Sequence, residues 1–369
     1  MIGKNFEITR NKHSDMSDLE LHFYNMKYNG IHDPVMESGG NRPIFYLFDD
    51  KNFGLISFMI SEDSPYRLQE GNILYNEEKL SFNSLLFTRL GNNLPYYYFR
   101  GPQGMFPSLC DEKILNVNFN PKCSGCDFCF YGYRSKQLEN ITVEEGFHKI
   151  ESEAELREFS DLKEIAIVTG RFKSENEVKE HVLDVINKSE ERGFNGRIFY
   201  IGSQLVTPSS IEEILKRLKN DSDRFRYAYT IERFFDRSSI MHGSKGKKTY
   251  PEILEDMRTI NDLGISKLEY TYLAGIEDLK EFKKGTDELV PIAIPHISIL
   301  RRTGQGANPL VMCKDYMESG PSYTCQVREH YEKLYGRKII GNNFANLWLF
   351  PREDFNFSSY LSRLSPIMS

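Results

Sequence analysis

Three cysteines fall at i, i+3 and i+6 in the run Lys122-Cys123-Ser124-Gly125-Cys126-Asp127-Phe128-Cys129-Phe130-Tyr131. On a loop, that spacing lets three thiolates converge on one metal site, and thiolate ligands suit an iron–sulfur cluster or zinc. A closed structural site normally takes four protein ligands, whereas a cubane held by three leaves one iron open to a substrate or cofactor. Two other readings compete with the open cluster. Cys110, Cys313 or Cys325 would complete a zinc site or a closed four-thiolate cluster, and a disulfide is the least expected because reducing compartments keep thiols apart.

The elements around the cysteines set their position. Residues 114–120 alternate apolar and polar side chains before Pro121, which reads as a strand running into a loop. Thr142-Val143-Glu144-Glu145 then spells a capping box, with Thr142 as the cap and Glu145 reaching back. The cysteines therefore lie at the carboxyl end of a strand, where β/α folds place their chemistry.

The strand-then-helix texture repeats along the chain. Strands are expected at 161–169, 196–201, 224–231, 266–273 and 289–294, the last with 295–300 as its continuation. Ser174 with Glu177 and Thr249 with Glu252 form further capping boxes, and Val178, Val182, Val185 and Ile186 recur at a helical period. Six such units cannot each bury an apolar face alone. They predict an α/β fold, a partial (β/α)6 TIM-like barrel over 113–305 with helices outside.

The flanking regions read differently. Residues 1–112 carry a helix capped at Ser17, a hairpin over 44–60 and strands near 73–75, 85–88 and 96–99, so a smaller β-rich lid or substrate-recognition region is expected. Residues 306–369 read as a carboxyl-terminal extension covering the barrel. Within it Cys325 is a candidate reactive thiol, with a buried inert thiol as the alternative.

The cysteine loop and the six units together resemble the radical S-adenosylmethionine (SAM) enzymes, whose cluster loop follows the first barrel strand and commonly has an aromatic residue before its last cysteine, here Phe128. The superfamily usually spaces its cysteines C-x3-C-x2-C, and this chain has C-x2-C-x2-C. The resemblance implies a [4Fe-4S] cluster on Cys123, Cys126 and Cys129, with SAM chelating the open iron through its amino and carboxylate groups. Reductive cleavage of SAM would then give a 5′-deoxyadenosyl radical that takes hydrogen from a substrate. It also implies Phe128 against adenine, Gly170 near the methionine moiety, Ser203 near the ribose, Glu232 on the ammonium or ribose and Arg237 on the carboxylate. Arg301 would anchor a substrate carboxylate.

The 369 residues carry 47 basic and 53 acidic side chains, a net charge of -6 that offers no general attraction to nucleic acid or anionic membrane. No run is long and apolar enough for a membrane helix, and the start does not read as a signal peptide, so a cytoplasmic enzyme is expected. Its partners would be a small-molecule or peptide substrate and an external reductant such as flavodoxin or ferredoxin. Three alternatives remain: an enzyme cleaving SAM to an aminocarboxypropyl radical, an iron–sulfur electron-transfer protein, and a zinc-stabilised β/α binding protein.

Overall fold

The computed structural model describes residues 2–33, 42–50, 52–58, 60–90, 96–100, 113–123, 125–129, 140–153, 156, 158–265, 268–300, 308–335 and 350–351. Two compact units divide the chain. One draws on Met1–Asn93, Leu273–Asp287 and Ile297–Phe357, the other on Leu94–Tyr272 and Glu288–His296.

The first unit opens with helices α1 (Ile2–Lys12) and α2 (Asp18–Asn29), the second capped by the Ser17/Glu20 box. Strands β1 (Arg42–Phe48), β2 (Asn52–Ser57), β3 (Tyr66–Gln69), β4 (Asn72–Tyr75), β5 (Glu78–Lys79) and β6 (Asn83–Leu90) follow. The expected hairpin is present, with β1 and β2 antiparallel and Leu47 opposite Gly54.

In the second unit, β7 (Tyr96–Arg100) pairs antiparallel with β8 (Lys113–Val117), setting Tyr98 opposite Leu115. The 96–99 run is thus an edge strand of the large sheet. Helix α3 (Val143–Glu153) and β9 (Leu162–Val168) come next, then α4 (Glu175–Glu190), β10 (Arg197–Gly202), α5 (Pro208–Arg217) and β11 (Phe225–Glu232). Short α6 (Gly243–Lys247) and α7 (Tyr250–Asp262) lead to β12 (Leu268–Ala274) and β13 (Ile294–Ile299), and α8 (Leu279–Asp287), between these strands in sequence, belongs to the first unit. The sheet order β13-β12-β11-β10-β9-β8-β7 follows the chain without a crossover, and β8 to β13 form the curled parallel part, a half-barrel. The first unit is completed by α9 (Lys314–Ser319), α10 (Pro321–Tyr335) and β14 (Phe350–Pro351), the last pairing with β2.

Helix starts follow the sequence signals closely. Thr142 and Glu145 exchange hydrogen bonds of 2.8 and 3.2 Å, and the Thr249 N–H donates to Glu252 at 2.7 Å. At Ser174 the box is only half formed: its hydroxyl accepts from Glu177, while the Glu177 carboxylate takes the Lys173 N–H instead. The sixth strand starts later than the 289–294 expectation. The Leu289 carbonyl accepts from both Ile292 and Ala293 and closes a turn there, and Pro291 has no N–H for a ladder. Pro295 is tolerated because β13 is an edge strand.

The two faces of the parallel sheet differ in chemistry. Leu115, Ile165, Ile198, Tyr227 and Tyr270 are buried on the helix-covered face. Residues one position away line the inner face, where Ala166, Phe199 and Ala228 pack together. The small side chains of the two alanines leave room for Arg226, whose guanidinium lies 4.2 Å from the Phe199 ring centre. Arg226 is itself 3% exposed and bridges Glu164 and Glu269 at 2.5 Å each, and His296 lies 3.5 Å from Glu269. These groups sit near the amino ends of their strands, opposite the cysteine loop, and form a polar floor.

Burial alone would raise the Glu269 carboxyl, but the His296 hydrogen bond and the Arg226 charge prevail and hold it at about 2. Its contribution to stability is therefore complete above the unfolded carboxylate value and lost as pH falls towards 2. Replacing Arg226 by Met should cost about 3–5 kcal/mol at pH 7, because Glu164 and Glu269 lose the cation they share and keep only Arg197 and His296 at longer range. In urea unfolding the gap between wild type and Arg226→Met should narrow at pH 3; a gap independent of pH would contradict this account of the floor.

Candidate functional site

The parallel register of β8 with β9, which sets Val117 beside Ile167, continues past the ends of both strands. Gly170 N–H donates to the Asn120 carbonyl at 2.6 Å, and Arg171 N–H donates to the Lys122 carbonyl at 2.9 Å. The backbone entering the cysteine loop is thereby fixed to the residues following β9. A Cβ on Gly170 would fall 2.3 Å from the Lys122 carbonyl oxygen, so only glycine allows this approach. On the other side, Ile141 N–H donates to the Phe119 carbonyl at 3.0 Å and Lys122 N–H to the Asn140 side chain at 3.2 Å.

Within the loop, Gly125 takes φ +73°, the left-handed region in which glycine turns the chain without strain. Cys129 N–H donates to the Cys126 carbonyl at 2.8 Å, a tight turn that sets the second and third cysteines side by side. Cys123, Cys126 and Cys129 are partly exposed, and none is in a disulfide. Phe128 is half-buried between the last two.

The segment after β11 closes the third side. Asp127 N–H donates to the Ile240 carbonyl at 2.9 Å, and the Asp127 carboxylate meets His242 Nε2 at 2.8 Å. Glu232 ends β11 beyond a register shift, with φ +67°, a conformation rare for a residue with a side chain. Its carboxylate pairs with the Lys245 ammonium at 3.3 Å. Burial pushes the Cys126 thiol up; Lys245 and the backbone N–H of His242 oppose this, while Cys129 and Glu232 add to it. Cys126, Cys129, Glu232 and Lys245 thus share one neighbourhood.

Arg237, which the sequence suggests for a carboxylate ligand, is buried. Its guanidinium donates to the carbonyls of Ile231 at 2.6 Å, Lys245 at 3.0 Å and Arg233. It shapes the loop that presents Glu232 and Lys245, whose ammonium is partly exposed. Ser203 is half-buried just past the carboxyl end of β10, next to Gln204. The Gln204 amide accepts from Phe172 N–H at 3.1 Å and donates to Phe172 O at 3.0 Å, tying the loops after β9 and β10 together.

Arg301 and Cys110 lie outside the described residues. Cys325 belongs to the other unit, on α10, where it is fully buried with its sulfur 3.8 Å from that of Met16. Burial pushes its thiol far up, which gives it the surroundings of an inert cysteine. The Asp127–His242 contact and the role of Gln204 are not apparent in the sequence; Asp127 and His242 are 115 positions apart.

Among the described residues no three His, Cys, Asp or Glu side chains are arranged to hold one metal ion. Cys123, Cys126 and Cys129 are the partly exposed thiols on this loop that could ligate a metal.

No protein-family model matches the sequence, and no curated protein is a significant match. Solved structures do resemble it. HydG, a maturase of the [FeFe]-hydrogenase, is 19% identical with a TM-score of 0.43, over 60% of this chain and 49% of that one. SuiB of Streptococcus suis, bound to S-adenosylmethionine, is 13% identical with a TM-score of 0.39, over 55% of this chain and 43% of that one. A radical SAM methyltransferase from Sphaerobacter thermophilus is 14% identical with a TM-score of 0.42, over 82% and 76%. This chain thus spans less than half the length of HydG and of SuiB.

Gly170→Ala should force the 120–122 backbone away from β9. The expected result is a loss of about 1–3 kcal/mol together with faster labelling of the loop thiols by a maleimide. Unchanged labelling would show that the loop is not held by this contact.

Proposed function

We propose that this chain is a radical SAM enzyme whose open [4Fe-4S] cluster is held by Cys123, Cys126 and Cys129. The observation that carries this reading is the docking of a three-cysteine loop at the carboxyl end of the first parallel strand, pinned by the segments after β9 and β11, with Glu232 and Lys245 beside Cys126. Those three thiolates would hold the cluster and leave part of it free of protein ligands, where SAM would bind. With that cluster bound, one-electron reduction of the SAM sulfonium supplies a hydrogen-abstracting adenosyl radical.

The chain's own residues prepare this chemistry by position and charge. Glu232 offers a carboxylate to the ammonium or ribose hydroxyls of SAM, and Lys245 offers the positive charge that its carboxylate needs. Glu232 leaves β11 in a left-handed turn, and its carboxylate pairs with Lys245. Phe128 offers an apolar face to adenine, and Gly170 and Ser203 mark the neighbouring strand ends at which methionine and ribose would lie. Arg237 acts through the loop it braces. Asp127 and His242 hold the second half of the cysteine loop against the β11 segment. The half-barrel's inner face takes the substrate, a small metabolite, amino acid or peptide, away from water. An external flavodoxin or ferredoxin supplies the electron.

Anaerobic reconstitution with iron and sulfide, followed by dithionite, SAM and chromatography of the nucleosides, tests the reading. About four irons per chain and 5′-deoxyadenosine are expected, both lost in Cys123→Ala, Cys126→Ala or Cys129→Ala. Stoichiometric zinc, or a cluster indifferent to SAM, would overturn it. Dominant 5′-methylthioadenosine would transfer the chain to aminocarboxypropyl chemistry.

A further inference from the structure

The cysteine loop is bordered by cations that the fold leaves unmatched. Lys122, directly before Cys123, and Arg171, whose N–H donates to the Lys122 carbonyl at 2.9 Å, are both exposed. The Arg171 guanidinium reaches across to the segment after β11, where a Cβ on Gly243 would fall 2.5 Å from its Nη1. Gly243 opens α6, and the exposed Lys247 closes that helix one turn later. Among the described residues no carboxylate lies within ion-pair distance of Lys122, Arg171 or Lys247. Three separate segments thus bring unpaired positive charge to one rim.

The acidic groups of the same segments are engaged. Asp127 meets His242 at 2.8 Å, Glu232 meets Lys245 at 3.3 Å, Asp236 lies 3.5 Å from Arg233, and Glu177 accepts the Lys173 N–H. An excess of positive charge therefore borders the partly exposed Cys123, Cys126 and Cys129, on a chain whose net charge is -6. An acidic partner is repelled by the surface at large and drawn to this rim, which turns it to face the cysteine loop. A long polyanion such as RNA would run past the rim onto the net-negative surface, whereas a compact acidic protein can touch the rim alone.

We propose that Lys122, Arg171 and Lys247 form the docking rim for a small acidic electron carrier, a flavodoxin or ferredoxin, which approaches the cysteine loop from this side. The carrier gives up one electron to the cluster. That transfer rests on the radical SAM reading; the docking rim itself does not.

The test begins with the full chain free of iron, so it stands apart from the cluster result. Calorimetric titration of that chain with a flavodoxin and with a [2Fe-2S] ferredoxin, each of negative net charge, should show binding of at least one at about 20 mM salt. The binding should be lost at about 500 mM, where screening acts within a few Å. Lys247→Glu and Arg171→Glu should each weaken it about fivefold, Lys247→Gln by less, and the control Lys216→Glu, on α5, not at all. In the reconstituted protein, Lys247→Glu should slow SAM cleavage driven by the reduced carrier and leave cleavage driven by dithionite unchanged. No carrier binding, binding indifferent to salt or to both charge reversals, or tighter binding of an RNA homopolymer than of either carrier would each overturn the proposal. If a carrier binds as expected while dithionite gives no SAM cleavage, the rim stands and the radical reading falls. If dithionite gives cleavage and neither carrier binds, the rim falls and the radical reading stands.

Discussion

The site depends on one backbone ladder that outlasts its strands. β8 and β9 stop at Val117 and Val168, yet their register continues through Gly170 to Asn120 and Arg171 to Lys122. A loop of three cysteines turning at Gly125 has little core of its own to order it. The ladder substitutes for that core, and it requires that residue 170 have no Cβ. The clamp from Ile240 and His242 onto Asp127 then fixes the loop's second half. The segments after β9 and β11 thus restrain the cysteine loop at both of its ends, which is the preorganisation the proposed cluster site needs.

The sheet below it separates its tasks by face. Alternation sends most of the large aromatic and branched side chains to the helices, where they supply the packing, and gives the inner face Ala166, Ala228 and polar residues around Phe199 and Ile201. Among the described residues, charges on that inner face meet at the floor, where Arg226 and Arg197 pair with Glu164 and Glu269, and at the rim, where Glu232 meets Lys245. A reaction that must exclude water and stray hydrogen donors is suited by a lumen whose ionic groups are already paired.

The strands, the helix caps and the location of the cysteine loop were legible in the sequence because each is written in local pattern: alternation, capping pairs, a proline or glycine at a boundary. What was not legible is long-range. Arg237 reads as a loop cation, and only the fold shows it buried among the carbonyls of Ile231, Arg233 and Lys245. Glu232 finds Lys245 rather than a neighbouring arginine because the left-handed turn at the end of β11 redirects it. The sixth strand was placed early because apolar content over 289–294 does not reveal the turn that Leu289 closes. Cys325 carries no local mark of burial; helix packing decides it.

The central claim is that three thiolates leave one iron open for SAM. It is tested most directly by electron paramagnetic resonance of the anaerobically reduced cluster before and after SAM is added. The account predicts a [4Fe-4S] signal whose shape and g-values change on adding SAM. A spectrum that SAM leaves unaltered, in protein with full iron content, would contradict it.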